Sequence, residues 1–498
     1  MVDTTGEKKR LAVFNKHIFL KGIIIVVFSS CSILQPKNKL LQSKTEIGFK
    51  YSNQITSTQL KGFLSVLASD EFEGRETTYP GQKKAAQYLK DKLIEWNVSP
   101  AQDNGKYFQE FKVMVQDFSN VSLIINDDTL TFIKDFYSFG NPEKTNYTNV
   151  GAVFAGHGII NEYFDSYQTI DVKDKVVILK EGTPSDKNFP LKDANWRKKV
   201  KSAKSKGAIA VFFIKEDYNN TDLGLKAHLK NPSMKMHNKK KTKAQIPVFF
   251  ISQKYLNSNI NNVVSFSTNV NELKTAENVL GYIPGNTDEI IVVSAHYDHI
   301  GYDQGEICNG ADDDGSGTAA LLSLLQTFQK AHDNGHQPQR GILFLMVSGE
   351  EKGLFGSKFY TENPVFPLNK TIANLNIDMV GRKDTIQPNN NYIYLIGSDK
   401  ISNQLHNINE QINDKYVNFR LDYTYNDEND PNQYYYRSDH YNFAKNDIPV
   451  IFYFGGMHED YHKPTDDIEK IDFNKLEKIS RFIFLTAWEL AHRKKRIK

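Results

Sequence analysis

The chain has few cysteines, little net charge and no convincing membrane span. Each of these absences excludes or disfavours a class of protein. Two cysteines in 498 residues, Cys31 and Cys308, exclude a disulfide-rich scaffold. A formal net charge of +3 gives no electrostatic reason to expect nucleic acid as a partner. The apolar run at residues 22–30 is too short to cross a bilayer comfortably. With 39% hydrophobic and 24% charged residues, the chain is typical of a globular protein of more than one domain.

The N-terminus is organised as an export signal. Five basic residues precede the apolar run, and Ser29 and Ser30 stand before Cys31. This resembles a bacterial lipobox, although Phe28 stands where Leu or Val is commoner. We therefore expect residues 1–31 to be a lipoprotein signal peptide and Cys31 to anchor an exported cell-envelope protein to the membrane through lipid. A plain signal peptide or an anchor helix is the alternative. Residues 32–54 are polar and rich in lysine, which predicts a tether.

Three apolar runs in the second half of the chain stop at acidic or imidazole residues. IIVVSAHYDHIG reaches His296 and Asp298, GILFLMVSGEEKG reaches Glu350 and Glu351, and IANLNIDMVGR reaches Asp378. Short runs rich in Val and Ile and bounded by Gly predict buried strands. Ligands of open α/β sheets bind beyond the carboxyl ends of the strands. We therefore expect these side chains to meet in one crevice.

The residue types at this crevice predict a metal site. The segment GADDDGSG adds Asp312, Asp313 and Asp314 ahead of a helical apolar pattern. Carboxylates packed together repel one another unless a cation neutralises them. One histidine with several carboxylates suits Zn²⁺ or a similar divalent ion. In the adjacent pair Glu350 and Glu351, one member can bind metal while the other serves as a general base.

These segments together resemble the co-catalytic zinc exopeptidases, which include bacterial leucyl-type aminopeptidases. Glutamate carboxypeptidase, glutaminyl cyclase and the transferrin receptor are more distant relatives. The matching segments follow the family order, and they are HYDH at 296–299, GADDDGSG at 310–317, SGEEKGLFGS at 348–357, NIDMVGR at 376–382, RSDHYNF at 437–443 and YHKPTDD at 461–467. The resemblance implies a three-layer α/β/α sandwich with a mixed, largely parallel sheet.

A second module interrupts this pattern. Residues 117–272 carry short strands and one helical stretch, an alternation typical of a separate α/β unit. Its order resembles the protease-associated domain that many members of the family carry as an insertion. We therefore expect the peptidase domain to consist of residues 55–116 and 273–498, with the inserted domain between them.

The resemblance also implies roles for individual residues. It assigns two Zn²⁺ ions per chain, one held by His296 and Asp378 and the other by Glu351 and His462. Asp313 would bridge the two ions, although chemistry alone would allow Asp312 or Asp314 to do the same. Asp298 is expected to accept a hydrogen bond from the His296 imidazole and so to fix its tautomer.

The remaining roles concern catalysis and substrate binding. Glu350 is the expected general base, which takes a proton from a metal-held water and returns it to the leaving amine. A tyrosine within 434–436, with Tyr436 as our choice, is expected to contact the substrate. His299 and His458 are expected not to bind metal, and Asp439 and His440 are expected to support the site.

These residues predict a zinc-dependent exopeptidase, in particular an aminopeptidase that removes N-terminal residues from peptides. Two alternatives stay open. A carboxypeptidase or dipeptidase of the same fold would need basic residues at the pocket, and Arg382 and Arg437 lie near the motifs. A non-catalytic, receptor-like binding protein would have lost metal ligands. The side-chain preference, the oligomeric state, the purpose of the inserted domain and the use of Mn²⁺ or Co²⁺ in place of zinc stay open as well.

Overall fold

A computed structural model describes residues 45–102, 104–185, 188–237, 245–255 and 262–497. The predicted signal peptide, the predicted lipidation site Cys31 and residues 32–44 of the predicted tether lie outside these ranges. The helices, in chain order, are α1 (45–52), α2 (Ser57–Leu67), α3 (Pro80–Glu95), α4 (Trp196–Ser205), α5 (Leu223–Leu229), α6 (Gly317–Asp333), α7 (Phe355–Glu362), α8 (Asn403–Ile412), α9 (His440–Ala444) and α10 (Phe473–His492).

The strands form two larger sheets and two short hairpins. In chain order they are β1 (Ser99–Pro100), β2 (Phe108–Gln116), β3 (Val121–Ile125), β4 (Asp128–Leu130), β5 (Phe136–Ser138), β6 (Thr145–Phe154), β7 (Ile160–Asn161), β8 (Phe164–Asp165), β9 (Val176–Lys180), β10 (Ala210–Lys215), β11 (Ser233–Met236), β12 (Val248–Ser252), β13 (Asn262–Thr268), β14 (Asn271–Ile283), β15 (Thr287–His296), β16 (Gly301–Asp303), β17 (Glu306–Cys308), β18 (Arg340–Val347), β19 (Thr371–Asp378), β20 (Tyr392–Ile396), β21 (Arg420–Asp422) and β22 (Val450–Phe454).

The larger sheet is mixed, and its parallel centre carries the predicted site. Its order is β11-β2-β14-β18-β15-β19-β22-β20-β21, with β1 paired to β14. The four neighbours β18, β15, β19 and β22 are parallel, as are β20 and β21. The remaining pairs, including β14 with β18 and β20 with β22, are antiparallel. The predicted mixed sheet is therefore confirmed, with its parallel strands concentrated in the middle.

Helices cover both faces of this sheet, which confirms the predicted three layers. Ile291 and Val293 of β15 pack into a core with helices α2, α3, α6, α8 and α10. Ile290 and Val292, which point the opposite way, pack with Tyr360 of α7 and residues of α9. Successive side chains of a strand point to opposite faces, so a fully apolar strand predicts burial on both.

The folded part begins earlier than predicted. Residues 45–52, placed in the tether from their polar composition, form α1, in which Tyr51 and Ser52 are buried. The Tyr51 ring stacks on Trp488 of α10 with 5.8 Å between centroids. Gly48 faces the same indole so closely that a Cβ atom there would lie 2.6 Å from Trp488 Cδ1. A few buried contacts therefore hold a helix whose sequence is mostly polar.

The second sheet is formed within the predicted insertion. Its order is β4-β3-β13-β6-β9-β10-β12-β5, in which β6, β9, β10 and β12 are parallel neighbours. The chain leaves the larger sheet at the end of β2 and returns at the start of β14, and Gln116 and Asn271 are partners in that antiparallel pair. The two sheets are not formed by entirely separate parts of the chain. Strand β11 belongs to the insertion by sequence, but it pairs with β2 at the edge of the larger sheet.

None of the helices in the described ranges combines the length and the apolar character that a membrane crossing needs.

Candidate active site

Three parallel strands deliver the predicted residues to one edge of the larger sheet. β15 ends at His296 and β19 ends at Asp378. β18 lies beside β15 and leads through Gly349 to Glu350. Gly349 has a φ of +82°, a conformation that favours glycine and turns the chain toward the crevice. Because the carboxyl ends of parallel strands meet at one edge, residues far apart in sequence become neighbours here.

The first group of donor atoms surrounds His296. Its Nε2 atom lies 3.4 Å from Oδ1 of Asp313, 3.6 Å from Oδ1 of Asp378 and 3.9 Å from Oε2 of Glu350. The other carboxylate oxygen of Asp378 accepts a hydrogen bond of 2.6 Å from Oγ of Ser438. The structure therefore brings together the two residues predicted to bind one metal, with the predicted general base beside them.

The second group of donor atoms surrounds His462. Its Nε2 atom lies 3.1 Å from both Oε2 of Glu351 and Oδ2 of Asp313. Burial would lower the pKa of His462, but these two carboxylates raise it to about 10. The surroundings of His462 therefore favour a cation. His299, which we expected to stay outside the ligand set, also lies here, with Nδ1 2.8 Å from Oε1 of Glu351.

Asp313 lies between the two groups. Its Oδ1 faces His296 and its Oδ2 faces His462, which is the arrangement expected of a bridging carboxylate. Asp312 and Asp314 are engaged elsewhere. Asp312 accepts a 2.6 Å hydrogen bond from a backbone amide, and Asp314 accepts two, of 2.9 and 3.0 Å. The geometry therefore favours Asp313 over its two neighbours.

The adjacent glutamates occupy opposite electrostatic environments. Burial raises the pKa of Glu350 well above its usual range, and the negative charges of Glu351 and Asp378 add to this effect. Burial would also raise the pKa of Glu351, but hydrogen bonds from His299 and His462 lower it. Titratable neighbours whose pKa values are pushed apart are typical of an acid or base beside a permanently charged group. Glu350 suits proton transfer, and Glu351 suits metal binding.

Asp298 does not make the predicted hydrogen bond. The His296 Nδ1 atom lies 3.1 Å from the backbone carbonyl oxygen of Asp298 and 3.8 Å from its carboxylate. The carboxylate is occupied instead by the Thr77 hydroxyl, which donates at 2.7 Å, and by the Glu350 amide at 3.3 Å. A carbonyl acceptor can fix the imidazole tautomer as well as a carboxylate can. The prediction was thus wrong about the atom, while the residue does lie behind His296.

A loop from the N-terminal part of the chain closes the back of the site. Arg75 is 1% exposed, and its guanidinium ties several segments together. It donates to four backbone carbonyl oxygens, those of Tyr297 (2.8 Å), Leu67 (2.6 Å), Asn309 (2.6 Å) and Gly310 (2.8 Å). The segment that follows His296 and the segment that precedes Asp313 are therefore joined through one side chain.

His458, which we expected not to bind metal, and the predicted supporting residues Asp439 and His440 lie outside both donor groups. His458 Nε2 lies 3.3 Å from Oδ2 of Asp312, not from a proposed metal ligand. Asp439 is fully buried and accepts a hydrogen bond from the Ser357 hydroxyl. His440 stacks on Phe452, and burial lowers its pKa to about 3. Asp439 and His440 therefore contact residues around the site, and His458 contacts an aspartate outside the proposed ligand set.

A pocket of about 40 Å³ opens over the first donor group. Besides the donor residues His296, Asp313, Glu350 and Asp378, its lining consists of Met379, Tyr434, Arg437, Phe452, Phe454, Met457 and Tyr461. The predicted substrate contact, Tyr436, is not among them. Its side chain is 52% exposed and packs on Tyr441, because the short turn at 434–436 points Tyr434 inward and Tyr436 outward.

Our sequence analysis missed a tyrosine that contacts a proposed metal ligand. The ring of Tyr461 stacks on His462 with 3.8 Å between centroids. Burial raises the pKa of Tyr461, and the nearby charges of Asp313 and Glu351 add to the rise. The phenol therefore stays protonated and able to donate a hydrogen bond. Its position directly before His462 was the available signal.

The residues present fit a pair of divalent cations. His296, Glu350 and Asp378 offer ligand atoms within 4.8 Å of one another, and so do His299, Asp313 and Glu351. Within the described ranges, neither a lysine nor an arginine forms an ion pair with these carboxylates, whose charged partners are histidines. Buried carboxylates that have neither a lysine nor an arginine as a partner favour binding of a cation. The nitrogen and oxygen donors are those that zinc accepts.

Comparison with known protein families agrees with this geometry. Residues 278–487 match the family model described as peptidase family M28, and residues 142–258 match the PA domain. Residues 278–487 are thus similar to peptidase family M28. The M28 match includes both donor groups, and the PA match lies inside the predicted insertion at 117–272. The predicted family and the presence of an inserted protease-associated domain are thus confirmed, while the exact domain boundaries stay a prediction.

Individual relatives align with this chain over part of their length. A protein named probable leucine aminopeptidase from Arthroderma benhamiae is 29% identical over 216 residues, or 42% of this chain and 56% of that protein. A vacuolar membrane protease from Colletotrichum graminicola is 39% identical over 87 residues, or 17% of this chain and 7% of that protein. The chain thus spans about half or less of the relatives it matches.

A solved structure shares the fold. The aminopeptidase from Aneurinibacillus sp. strain AM-1 superimposes with a TM-score of 0.50 at 19% identity, covering 90% of this chain and 97% of the other. At this identity the likeness concerns the arrangement of the chain alone.

Proposed function

We propose that this protein is a zinc-dependent exopeptidase, and specifically an aminopeptidase that hydrolyses N-terminal residues from peptides. The observation that carries the proposal is the position of Asp313 between two donor groups, with Glu350 beside the first. The relatives support it, because a protein named probable leucine aminopeptidase aligns with 42% of the chain.

In this proposal five residues hold two zinc ions. His296 and Asp378 hold one, Glu351 and His462 hold the other, and Asp313 is shared. When bound, the ions would lower the pKa of the attacking water and polarise the scissile carbonyl. The surrounding carboxylates raise the pKa values of His296 and His462, so both would release a proton on binding metal and ligate as neutral imidazoles.

Glu350 carries the proton transfers. Its carboxylate accepts a proton as the water oxygen bonds to the scissile carbonyl carbon, and it gives that proton to the amine nitrogen as the carbon–nitrogen bond breaks. Its buried surroundings, with Asp378 and Glu351 nearby, raise its affinity for the proton that it must hold between the two steps. Tyr461 is placed to donate a hydrogen bond toward the developing oxyanion.

Substitution of the general base tests the mechanism. Glu350→Gln keeps the shape of the side chain but cannot accept the proton, so activity should fall by a factor of about 10² to 10⁴ while both metals stay bound. Glu362→Gln, an exposed glutamate at the end of α7, is the matched control and should change neither. Loss of the metals together with the activity would instead make Glu350 a ligand.

A peptide panel tests the reaction class. Peptides with free and with blocked N-termini are incubated with and without a chelator, and the products are identified by mass spectrometry. The proposal expects single residues to leave free N-termini only, and only without chelator. Release of C-terminal residues from blocked peptides would favour the carboxypeptidase alternative. Absence of zinc after gentle purification would favour the receptor-like alternative, and internal cleavage would exclude an exopeptidase.

We also propose that the protein is exported and held at the cell envelope by a lipid on Cys31. This proposal rests on the pattern of residues 1–31, which lie outside the described ranges. Relatives that align with part of the chain include proteins named vacuolar membrane protease, one of them from Colletotrichum graminicola. Expression of the full chain and of Cys31→Ser in a bacterial host should place the first in the membrane fraction and release the second. Equal distribution would contradict the anchor.

A further inference from the structure

Among the described residues, the lining of the active-site pocket includes one arginine, Arg437, that has no carboxylate partner. Arg437 lines the pocket together with His296, Glu350 and Asp378, and the rest of the lining is apolar or aromatic except for Asp313. Its guanidinium carbon lies 4.9 Å from the centre of the Tyr434 ring. Arg437 is an exposed residue, and within the described part of the chain it forms no ion pair with a carboxylate.

The backbone holds this arginine at the pocket. The next residue, Ser438, is buried, and its Oγ donates to Asp378 at 2.6 Å. The same Oγ accepts a 2.8 Å hydrogen bond from Nδ2 of Asn376. The Arg437 amide donates to the carbonyl of Tyr434 at 3.1 Å, which closes the preceding turn. Arg437 is therefore anchored one residue away from a proposed metal ligand.

The second arginine near the motifs is not available in this way. Arg382 is bound to Asp460 through a 2.7 Å contact between Nη1 and Oδ2, and its Nη2 lies 3.4 Å from Oε1 of Glu459. Its side chain is 10% exposed. Of the two arginines that the sequence placed near the site, the structure leaves only Arg437 free to meet a substrate.

An arginine in such a position matches a carboxylate. The planar guanidinium can donate two parallel hydrogen bonds to a carboxylate, and an aromatic ring against one face keeps it oriented. A peptide offers a carboxylate near the scissile bond in two ways. One is the α-carboxylate of a dipeptide, and the other is the acidic side chain of the residue being removed.

We propose that Arg437 binds a substrate carboxylate and makes this site selective for peptides that present one beside the scissile bond. This inference rests on the proposed peptidase function and goes further, because it names the substrate class. An apolar pocket alone would favour peptides without charge at that position. Arg437 is the specificity-determining residue.

Two pairs of substrates separate the two sources of the carboxylate. Leu-Ala and Leu-Ala-amide differ only in the α-carboxylate, and Glu-Ala-amide and Gln-Ala-amide differ only in the side-chain charge. For each pair the ratio of kcat/KM is measured with the unaltered protein, with Arg437→Met and with Arg437→Lys. Arg197→Met is the matched control, since Arg197 also stacks on an aromatic ring, that of Trp196 at 4.5 Å, but belongs to α4.

The expected result is a ratio of about ten or more in one pair, which falls toward one in Arg437→Met. Arg437→Lys keeps the charge without the planar fork and should give an intermediate ratio. Arg197→Met should leave the ratio unchanged. The substrate pair whose ratio falls in Arg437→Met shows whether the bound carboxylate is the α-carboxylate or the acidic side chain. A ratio near one in both pairs with the unaltered protein, or a ratio that persists in Arg437→Met, would overturn the proposal.

Binding without turnover keeps this test independent of the proposed function. In a Glu350→Gln background with zinc present, calorimetry gives the Kd of each peptide with Arg437 and with Met at that position. The carboxylate-bearing member of one pair should bind about ten-fold more tightly, and the difference should vanish with Met. Equal binding within both pairs, or no binding, would refute the role of Arg437. Absence of hydrolysis with preserved selective binding would refute the peptidase alone.

Discussion

His462 is the most accessible of the five proposed metal ligands, with 35% of its side chain exposed. It reaches Asp313 and Glu351 through one nitrogen atom, so an alanine there removes a ligand with little loss of packing. We expect purified His462→Ala to hold about one zinc ion per chain tightly in place of two. Elemental analysis after dialysis measures this.

The matched control for that experiment is His228→Ala, which removes an exposed histidine from α5. It should leave the zinc content at two per chain. Two tightly held ions in His462→Ala would contradict the assignment of His462, and the neighbouring His299 would then become the candidate ligand.

Arg75 is expected to contribute strongly to stability. Its guanidinium serves four carbonyl oxygens in three different segments, and Arg75→Met would fill the space but leave these acceptors without donors. Unsatisfied buried polar groups cost about 1–3 kcal/mol each, so the free energy of unfolding should fall by about 3 kcal/mol or more. Urea denaturation of the zinc-loaded protein measures the change.

The exposed Arg197 provides the comparison for Arg75 as well, and Arg197→Met should change the free energy of unfolding by less than about 0.5 kcal/mol. A similar small change in Arg75→Met would show that water or rearranged side chains replace the lost donor.

Residue types and spacing predicted which side chains meet, but not which atoms touch. His296, Glu350, Glu351 and Asp378 follow apolar runs whose ends converge through strand topology alone, whereas Asp313 precedes the apolar pattern of α6. His296 contacts the backbone carbonyl of Asp298 and not its carboxylate, because the carboxylate accepts hydrogen bonds from the Thr77 hydroxyl and the Glu350 amide. Choices among competing hydrogen-bond partners, and the inward turn of Tyr434 instead of Tyr436, depend on side-chain directions that periodicity does not contain.

In helix α1, the absence of a side chain at Gly48 leaves room for the indole of Trp488. Gly48 is pressed against the buried indole of Trp488, which other aromatic rings hold in place, so Gly48→Ala must displace it. The clash should outweigh the better helix propensity of alanine and lower the free energy of unfolding by about 1 kcal/mol. Gly62→Ala in α2 is the matched control.

Gly62 has open space beyond its Cα, so the same substitution there should raise the free energy of unfolding by about 0.5–1 kcal/mol. Opposite signs for the two variants in urea denaturation would confirm that α1 packs on α10. A stabilising Gly48→Ala would place residues 45–52 outside the fold, as the sequence had suggested.

The elements that periodicity predicted best are those with the most apolar faces. Along α2, apolar side chains recur at helical spacing and all are buried, namely Leu60, Phe63, Leu64 and Leu67. α1 was missed because its polar sequence offers few apolar positions, and burial of Tyr51 depends on a partner in the last helix of the chain. Contacts between the two ends of a sequence cannot be found by examining either end alone.

For the molecule as a whole, metal removal is the most direct test of the site's energetics. Ions that bind only the folded state stabilise it by about 4 kcal/mol at a concentration 1,000 times Kd. Without them, the buried carboxylates of both donor groups repel one another. We expect a chelator to lower Tm by several degrees and added zinc to restore it, as monitored by calorimetry.

The His462→Ala protein should respond less to the chelator, because it has one tight ion to lose instead of two. A Tm that is the same with and without chelator in the unaltered protein would mean that the donor groups do not bind metal in the folded state.

The second sheet is attached to the larger sheet in a way that should allow the inserted domain to be removed or transferred to another protein. Gln116 and Asn271 are partners in the antiparallel pair of β2 and β14, so the inserted segment between them begins and ends at neighbouring positions of the sheet. A two-residue reverse turn such as Asn-Gly could bridge that point and leave the peptidase layers contiguous. The shortened protein would lack β11 and therefore present the bare edge of β2 to solvent, where charged substitutions would be needed to keep it from pairing with other chains.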